Sequence, residues 1–264
     1  MLHKIVETKR EEVQELHQTT TLPALFEQAA AMDAPRGFQR SLEQSSRPVS
    51  VIAEVKKASP SKGMIRADFH PEEIALAYQQ AEVEAISVLT DKQYFQGDLG
   101  YLRQIRAAVS LPLLRKDFLI DEWQIVEARA YGADCILLIA AILEGEQIHH
   151  FSQAANQLGM DVLIEVHDAE EAEKVFRYTS PRMLGINNRN LRTFQVDLAT
   201  TQELISQLPK DVTVVSESGI ASRDDLAFVE QAGARAVLVG EHFMRQPDIA
   251  AAVRDLVGER VAGR

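Results

Sequence analysis

The sequence holds one cysteine, one tryptophan and no apolar run longer than the nine residues Cys135–Leu143. A lone cysteine cannot form an internal disulfide, which suits a reducing compartment. Nine apolar residues fall well short of the ~20 that a membrane-spanning helix needs. Met1–Arg10 mixes charges without an apolar stretch, so no secretory signal is read there, and a cytoplasmic location is expected. Positive charge is scarce too: 28 Lys and Arg face 39 Asp and Glu, a net charge of −11, with no basic block. Nucleic-acid binding depends on neutralising phosphates and is therefore not expected, nor is a membrane partner. No GxGxxG follows the first apolar run, and no P-loop pattern occurs.

What the chain does contain, from residue 49 onward, is a rhythm. Eight short apolar runs recur at Val49–Val55, Ala85–Leu89, Leu111–Leu114, Asp134–Ala140, Asp161–Val166, Arg182–Ile186, Val212–Val215 and Ala236–Val239. They are rich in Val, Ile and Leu without strict polar alternation, as in parallel strands covered on both faces. Amphipathic stretches separate them. Pro71–Tyr78 opens with proline and two acids, and Asp121 can cap Glu122–Tyr131 ahead of Gly132. Gly159 and Gly233 close the helical patterns Gln147–Leu158 and Arg223–Ala232 in the same way. The residues from 49 to 264 divide into eight units of about 27, which favours an α/β fold, a (β/α)8 TIM barrel, over an open doubly wound sheet. Residues 1–48 stand outside the rhythm as an N-terminal helical extension, and 1–264 is expected to be one domain. In the first helix Leu2, Ile5, Val6, Val13 and Leu16 share one stripe, with Lys9–Glu12 read onto the polar side. Whether the extension caps a barrel end or closes part of a site is left open by the pattern.

Catalytic groups of such barrels come from the C-terminal ends of the strands. Here those ends are polar. Glu54 and Lys56 are two apart on an extended chain and share a face, inward if Ala53 and Val55 face the helices. Lys116 follows the third run, Glu165 and His167 end the fifth, Asn187 and Arg189 the sixth, Glu217 and Ser218 the seventh. Lys116 at a barrel mouth can serve as a proton donor or as a Schiff-base nucleophile. Glu165 and His167 could be two metal ligands, but no second histidine ends a strand, so a satisfied polar histidine is the better reading. Cys135 reads as core. Gly219 and Gly240 lie where the last two loops commonly hold a phosphate. Lys56, Lys57, Lys62, Lys116, Arg189 and Arg192 cluster at this end of an acidic chain, which points to a small anionic substrate.

The segments Ile52–Gly63, Leu89–Gly97, Leu114–Phe118, Ile164–His167, Gly185–Leu191 and Ser216–Ile220, with Leu2–Glu12, resemble the indole-3-glycerol phosphate synthase family along essentially the whole chain. The resemblance implies a lyase of tryptophan biosynthesis that uses neither cofactor nor metal. It would act on 1-(2-carboxyphenylamino)-1-deoxyribulose 5-phosphate, releasing CO2 and water. It implies Lys116 as general acid in ring closure and Glu165 in dehydration. Glu54 and Lys56 would handle proton transfer, with Asn187, Glu217 and Ser218 around the reacting centre. Arg189 would hold the substrate carboxylate, and Ser59, Gly219, Gly240 and the Glu241 backbone the phosphate. Phe95, Phe118, Leu137, Pro60 and Leu191 would form the slot for the aromatic ring. A monomer with a small-molecule substrate is the expected state. Two departures stand out: Ile139–Ile142 lacks a lysine that some members carry, and Glu241 replaces a serine. A Schiff-base aldolase and a non-catalytic phosphosugar-binding barrel are the rival readings.

Overall fold

The computed structural model describes residues 1–190 and 193–258. Eight strands form a closed, all-parallel barrel: β1 (Ser50–Val55), β2 (Ala85–Leu89), β3 (Leu113–Lys116), β4 (Cys135–Ile139), β5 (Asp161–Val166), β6 (Met183–Asn187), β7 (Thr213–Glu217) and β8 (Ala236–Val239). Each strand pairs with its sequence neighbours, and β8 closes on β1 with Ser50 opposite Ala236. The order follows from short right-handed crossovers, each made by a helix. The eight expected runs are these eight strands. The third, sixth and seventh begin one or two residues late and end on a polar residue. Pro112 cannot donate to a ladder, so β3 starts after it.

The pleat sorts side chains into two cores. Val51, Ala53 and Val55 join the layer under the helices, whereas Ile52, Leu114, Cys135, Leu163, Met183, Val215 and Ala236 fill the barrel interior. Glu54 therefore points inward, above Ile52. The outer helices are α4 (Pro71–Gln80), α5 (Gly100–Ala108), α6 (Glu122–Ala130), α7 (Gly145–Gln157), α8 (Ala169–Tyr178), α9 (Ala199–Ile205), α10 (Arg223–Ala232) and α12 (Ile249–Val257), with the one-turn α11 (Glu241–Met244) after β8; the extension supplies α1–α3. Asp121 caps α6 through a reciprocal box with Gln124, and Gly132 leaves it at φ 94°.

The extension does two jobs at opposite ends. Its third helix, α3 (Phe38–Glu43), plugs the N-terminal end of the barrel, where Phe38 and Leu42 are fully buried in the interior core. The Gln39 backbone N–H donates to Asp161 and the Arg36 backbone N–H to Asp134, so carboxylates at the starts of β4 and β5 hold the plug. The second helix, α2 (Leu22–Ala30), packs Leu25 and Ala29 against Val126 and Ala130 of α6. The first, α1 (Leu2–Thr19), lies across the mouth, burying Ile5, Lys9 and Val13. Lys9 thus sits in the middle of the buried stripe, not on the polar face that its charge suggests.

Candidate active site

A cavity of about 710 Å³ opens at the C-terminal end of the barrel. Its floor is ionic. Lys116, the last residue of β3, places Nζ 2.9 Å from Glu165 Oε2 and 3.4 Å from Glu217 Oε2, so β5 and β7 each bring one carboxylate to the same ammonium. Lys56 Nζ lies 2.5 Å from Glu54 Oε2 beside them. Glu54, Glu165 and Glu217 are all buried, and Lys116 keeps a 16% exposed face toward the cavity. Burial disfavours charge on Lys116, yet Glu165, Glu217 and Glu54 outweigh it and raise its pKa. Burial pushes Glu217 up to about 8, aided by Glu165 and Glu54 and opposed by Lys116. Glu165 is buried as well, but Lys116 and His167 hold it well below the usual carboxylate range.

Two glycines let the strands carry these acids so close together. A Cβ on Gly240 would collide with the Glu54 carboxylate, and one on Gly185 with Glu217 Oε1. Beyond Glu217 the chain turns through two left-handed residues, Ser218 at φ 67° and Gly219 at φ 90°. Serine adopts this region only under restraint. The restraint is Asn188: its Nδ2 donates to the Ser216 hydroxyl and to the Glu217 and Ser218 carbonyls, all at 3.0 Å, while its Oδ1 accepts from Thr201.

The cavity walls divide by chemistry. Phe95, Phe118, Leu137 and Pro60 line an apolar side, with Leu2 and Ile5 from α1. The Phe95 and Phe118 rings are tilted with centroids 6.0 Å apart. The polar lining comprises Ser59, Lys62, Ser218, Gly219, Gly240 and Glu241, with Arg245 from the end of α11. Ser59 and Pro60 sit on a small hairpin in which Ala58–Ser59 pairs with Gly63–Met64. The Glu241 carboxylate turns aside to Arg245 at 3.0 Å and Lys62 at 3.7 Å, so its charge is matched instead of facing the cavity alone. Asn187 and Arg189 complete the rim. Asn187 Oδ1 accepts from the Arg189 backbone N–H, and Arg189 Nη1 donates to the Phe194 carbonyl at 3.3 Å.

One further cluster lies behind the apolar wall. Lys9 Nζ is 2.7 Å from Glu12, 2.9 Å from Asp91 and 2.9 Å from Asp117. Asp91 Oδ1 accepts from the Tyr94 and Phe95 backbone N–H groups, and Asp117 Oδ1 from that of Phe118. Arg115 and Thr90 occupy the other Asp117 oxygen. A single ammonium from α1 therefore ties down the two loops that carry the aromatic slot.

Every site residue expected from the sequence meets at this cavity except Leu191, which with Arg192 lies outside the described residues. Lys57 is not among the lining residues. Missing from the expectation were Lys9, Asp91, Asp117, Asn188 and Arg245. Of these only Arg245 had an accessible signal, its i,i+4 spacing from Glu241.

The family model for indole-3-glycerol phosphate synthase matches residues 2–256. Proteins named indole-3-glycerol phosphate synthase from Rhodospirillum rubrum and Neisseria meningitidis serogroup B are 48% and 50% identical, covering 98% and 97% of this chain and 99% and 98% of their own. Among solved structures, a 3-hexulose-6-phosphate synthase superposes with TM-score 0.61 at 16% identity, over 79% of this chain and 98% of that one. A thiamine phosphate pyrophosphorylase from Pyrococcus furiosus reaches 0.58 at 17% identity, over 82% and 98%. These two share the fold alone. Identity near one half along the whole length, together with the ionic floor at the strand ends, decides the family: the chain belongs to the indole-3-glycerol phosphate synthases.

Proposed function

We propose that this cavity closes the indole ring of 1-(2-carboxyphenylamino)-1-deoxyribulose 5-phosphate. The observation that carries the residue assignment is Lys116 held as an ammonium against the Glu165 carboxylate on the cavity floor, with Glu217 3.4 Å away. A Schiff-base lysine needs a lowered pKa, so the raised one favours a proton donor over a nucleophile. The ring carbon bearing the carboxylate attacks the ketone, and Lys116 gives its proton to the oxygen that gains negative charge. The carboxylate then leaves as CO2 and restores the aromatic ring. Loss of the new hydroxyl as water, with a proton removed from the neighbouring carbon, yields indole-3-glycerol phosphate. Burial with Glu165 and Glu54 nearby pushes Glu217 up, whereas Lys116 and His167 hold Glu165 down, so the dehydration has a carboxyl favoured as acid and one favoured as base within reach of one lysine. Glu54, with Lys56, supports proton transfer beside them.

The apolar wall of Phe95, Phe118, Leu137 and Pro60 takes the aromatic ring, with Leu191 assigned to it by resemblance. Arg189 faces its carboxylate from the rim. Ser59, Gly219, Gly240 and the Glu241 backbone, with Lys62 nearby, take the phosphate. Asn187 and Ser218 border the reacting centre. The chain works as one unit, 1–264, on a small-molecule substrate. Among the described residues no helix is long and apolar enough to cross a membrane.

The direct test supplies the carboxyphenylamino substrate to the folded protein and follows indole fluorescence. Absence of product would overturn the reaction. Gly240→Ala tests the geometry: the added methyl must displace the Glu54 carboxylate, and misplacement of that order costs about 10²-fold in kcat. Wild-type turnover in that variant would remove Glu54 from the machinery.

A further inference from the structure

His167 follows β5 by one residue, with its side chain 10% exposed. Its Nε2 lies 3.3 Å from Glu165 Oε1 and its Nδ1 3.1 Å from Glu171 Oε2. The same Glu171 oxygen accepts from the His167 backbone N–H at 2.9 Å. Glu171 itself stands in the first turn of α8, where its backbone N–H donates to the capping Asp168 at 2.9 Å. The ring is therefore bracketed by carboxylates that two different elements fix in place. Nδ1 is hydrogen-bonded to Glu171, so a neutral ring would turn its Nε2 lone pair toward Glu165 Oε1, whereas the doubly protonated ring meets that oxygen as an ion pair without an aligned hydrogen bond. The other Glu165 oxygen is on Lys116.

Building on the assignment of Lys116 and Glu165 above, we propose that His167 is a positioning residue, a fixed imidazolium between Glu165 and Glu171 that holds the Glu165 carboxylate ionised and aimed at Lys116. The groups that face it are Glu165 from β5 and Glu171 from α8, with Lys116 of β3 and Glu217 of β7 on the far side of Glu165. Burial disfavours charge on the ring, but the two carboxylates outweigh it and carry His167 up to about 10. The consequence is an asymmetry. Glu165 and Glu217 flank the same ammonium, and among the described residues only Glu165 has a second cation, which favours Glu217 as the one that takes the proton. The histidine that the sequence marked as a satisfied polar group thus sorts the two carboxylates beside Lys116 into base and acid.

Two measurements test this. In histidine-labelled wild-type protein without substrate, both His167 ring nitrogens should give imidazolium 15N shifts through pH 8. A ring that turns neutral near the ordinary value of about 6.5 overturns the proposal. The second is His167→Gln, whose amide can still reach Glu165 but carries no charge. Its kcat should fall about tenfold with KM little changed. The acid limb of its kcat/KM profile should move up by about one pH unit, because Glu165 loses one of two cations and protonates more readily. A folded variant whose acid limb does not move overturns the proposal, whether or not kcat falls. Wild-type protein that makes no product would sink the reaction assignment alone, since the nitrogen shifts report His167 without any turnover.

Discussion

Lys116→Ala is expected to lower kcat by about 10²–10⁴-fold, the span that a positioned proton donor contributes. KM should move far less, because the aromatic slot and the phosphate side of the cavity do not include this residue. Stability is the informative control. Removing one partner of a buried pair usually strands a charge, but burial already pushes Glu217 toward its neutral form, and losing Lys116 pushes it further. Only Glu165 is left ionised, and His167 still stands beside it at 3.3 Å. The variant should therefore stay folded, with a modest loss of thermal stability and nearly all of its activity gone. Indole fluorescence and a thermal melt on the same preparation decide it. A folded Lys116→Ala enzyme with full turnover would remove the proton-donor role, and a covalent adduct at Lys116 trapped by borohydride from the wild type would replace it with Schiff-base chemistry.

Lys9→Met carries the largest expected cost in stability. Methionine keeps most of the stem but leaves Asp91 and Asp117 buried without their shared cation. Breaking a buried pair from one side costs about 3–5 kcal/mol, which urea titration would resolve. The loops bearing Phe95 and Phe118 lose their common tether, so KM should rise even where the variant folds. The same cluster sets an acid limit for the wild type. Asp117 is buried, but Lys9 and Arg115 hold its carboxyl down to about 2. A carboxyl depressed on folding stabilises the native state above the ordinary value of about 3.9, and that contribution is lost as pH falls through the folded one. Wild-type stability should thus drop between roughly pH 4 and 2, and Lys9→Met should show a shallower drop. An unchanged acid profile in the variant would mean that Lys9 is not what holds Asp117 ionised.

The barrel was legible because its strands are buried on both faces and its helices end on glycines; Gly132, Gly159 and Gly233 all adopt positive φ. Strand ends were less so. β3, β6 and β7 run on to Lys116, Asn187 and Glu217, but their polarity conceals that the ladder continues through them. The placement of these residues was nevertheless readable, since a strand end in a barrel points at the mouth whatever its side chain. Lys9 shows where such reasoning stops. Hydropathy assigns an ammonium to solvent, and only the arrival of Asp91 and Asp117, some 80 and 110 residues away, makes burial favourable. His167 is similar: Glu171 is four residues on, but only the turn into α8 brings it to the ring's Nδ1. Asn188 was invisible for a plainer reason. Its side-chain partners, Ser216–Ser218 and Thr201, come from two segments that the chain brings to it only on folding.

The plug at the base of the barrel has a consequence for how the chain folds. Phe38 and Leu42 are near the start of the sequence, yet the interior core they complete reaches Ala236 and Leu238 on the final strand. Contacts of such separation form late, because a long loop must close before they stabilise anything. An early segment is thus among the last to find all of its partners, and the emerging chain carries Phe38 and Leu42 with an incomplete seat until β8 meets β1. Pulsed hydrogen exchange during refolding should show α3 gaining protection together with β8. Earlier protection of α3 would mean that it seats on β1 and β2 alone and serves as a template for the ring.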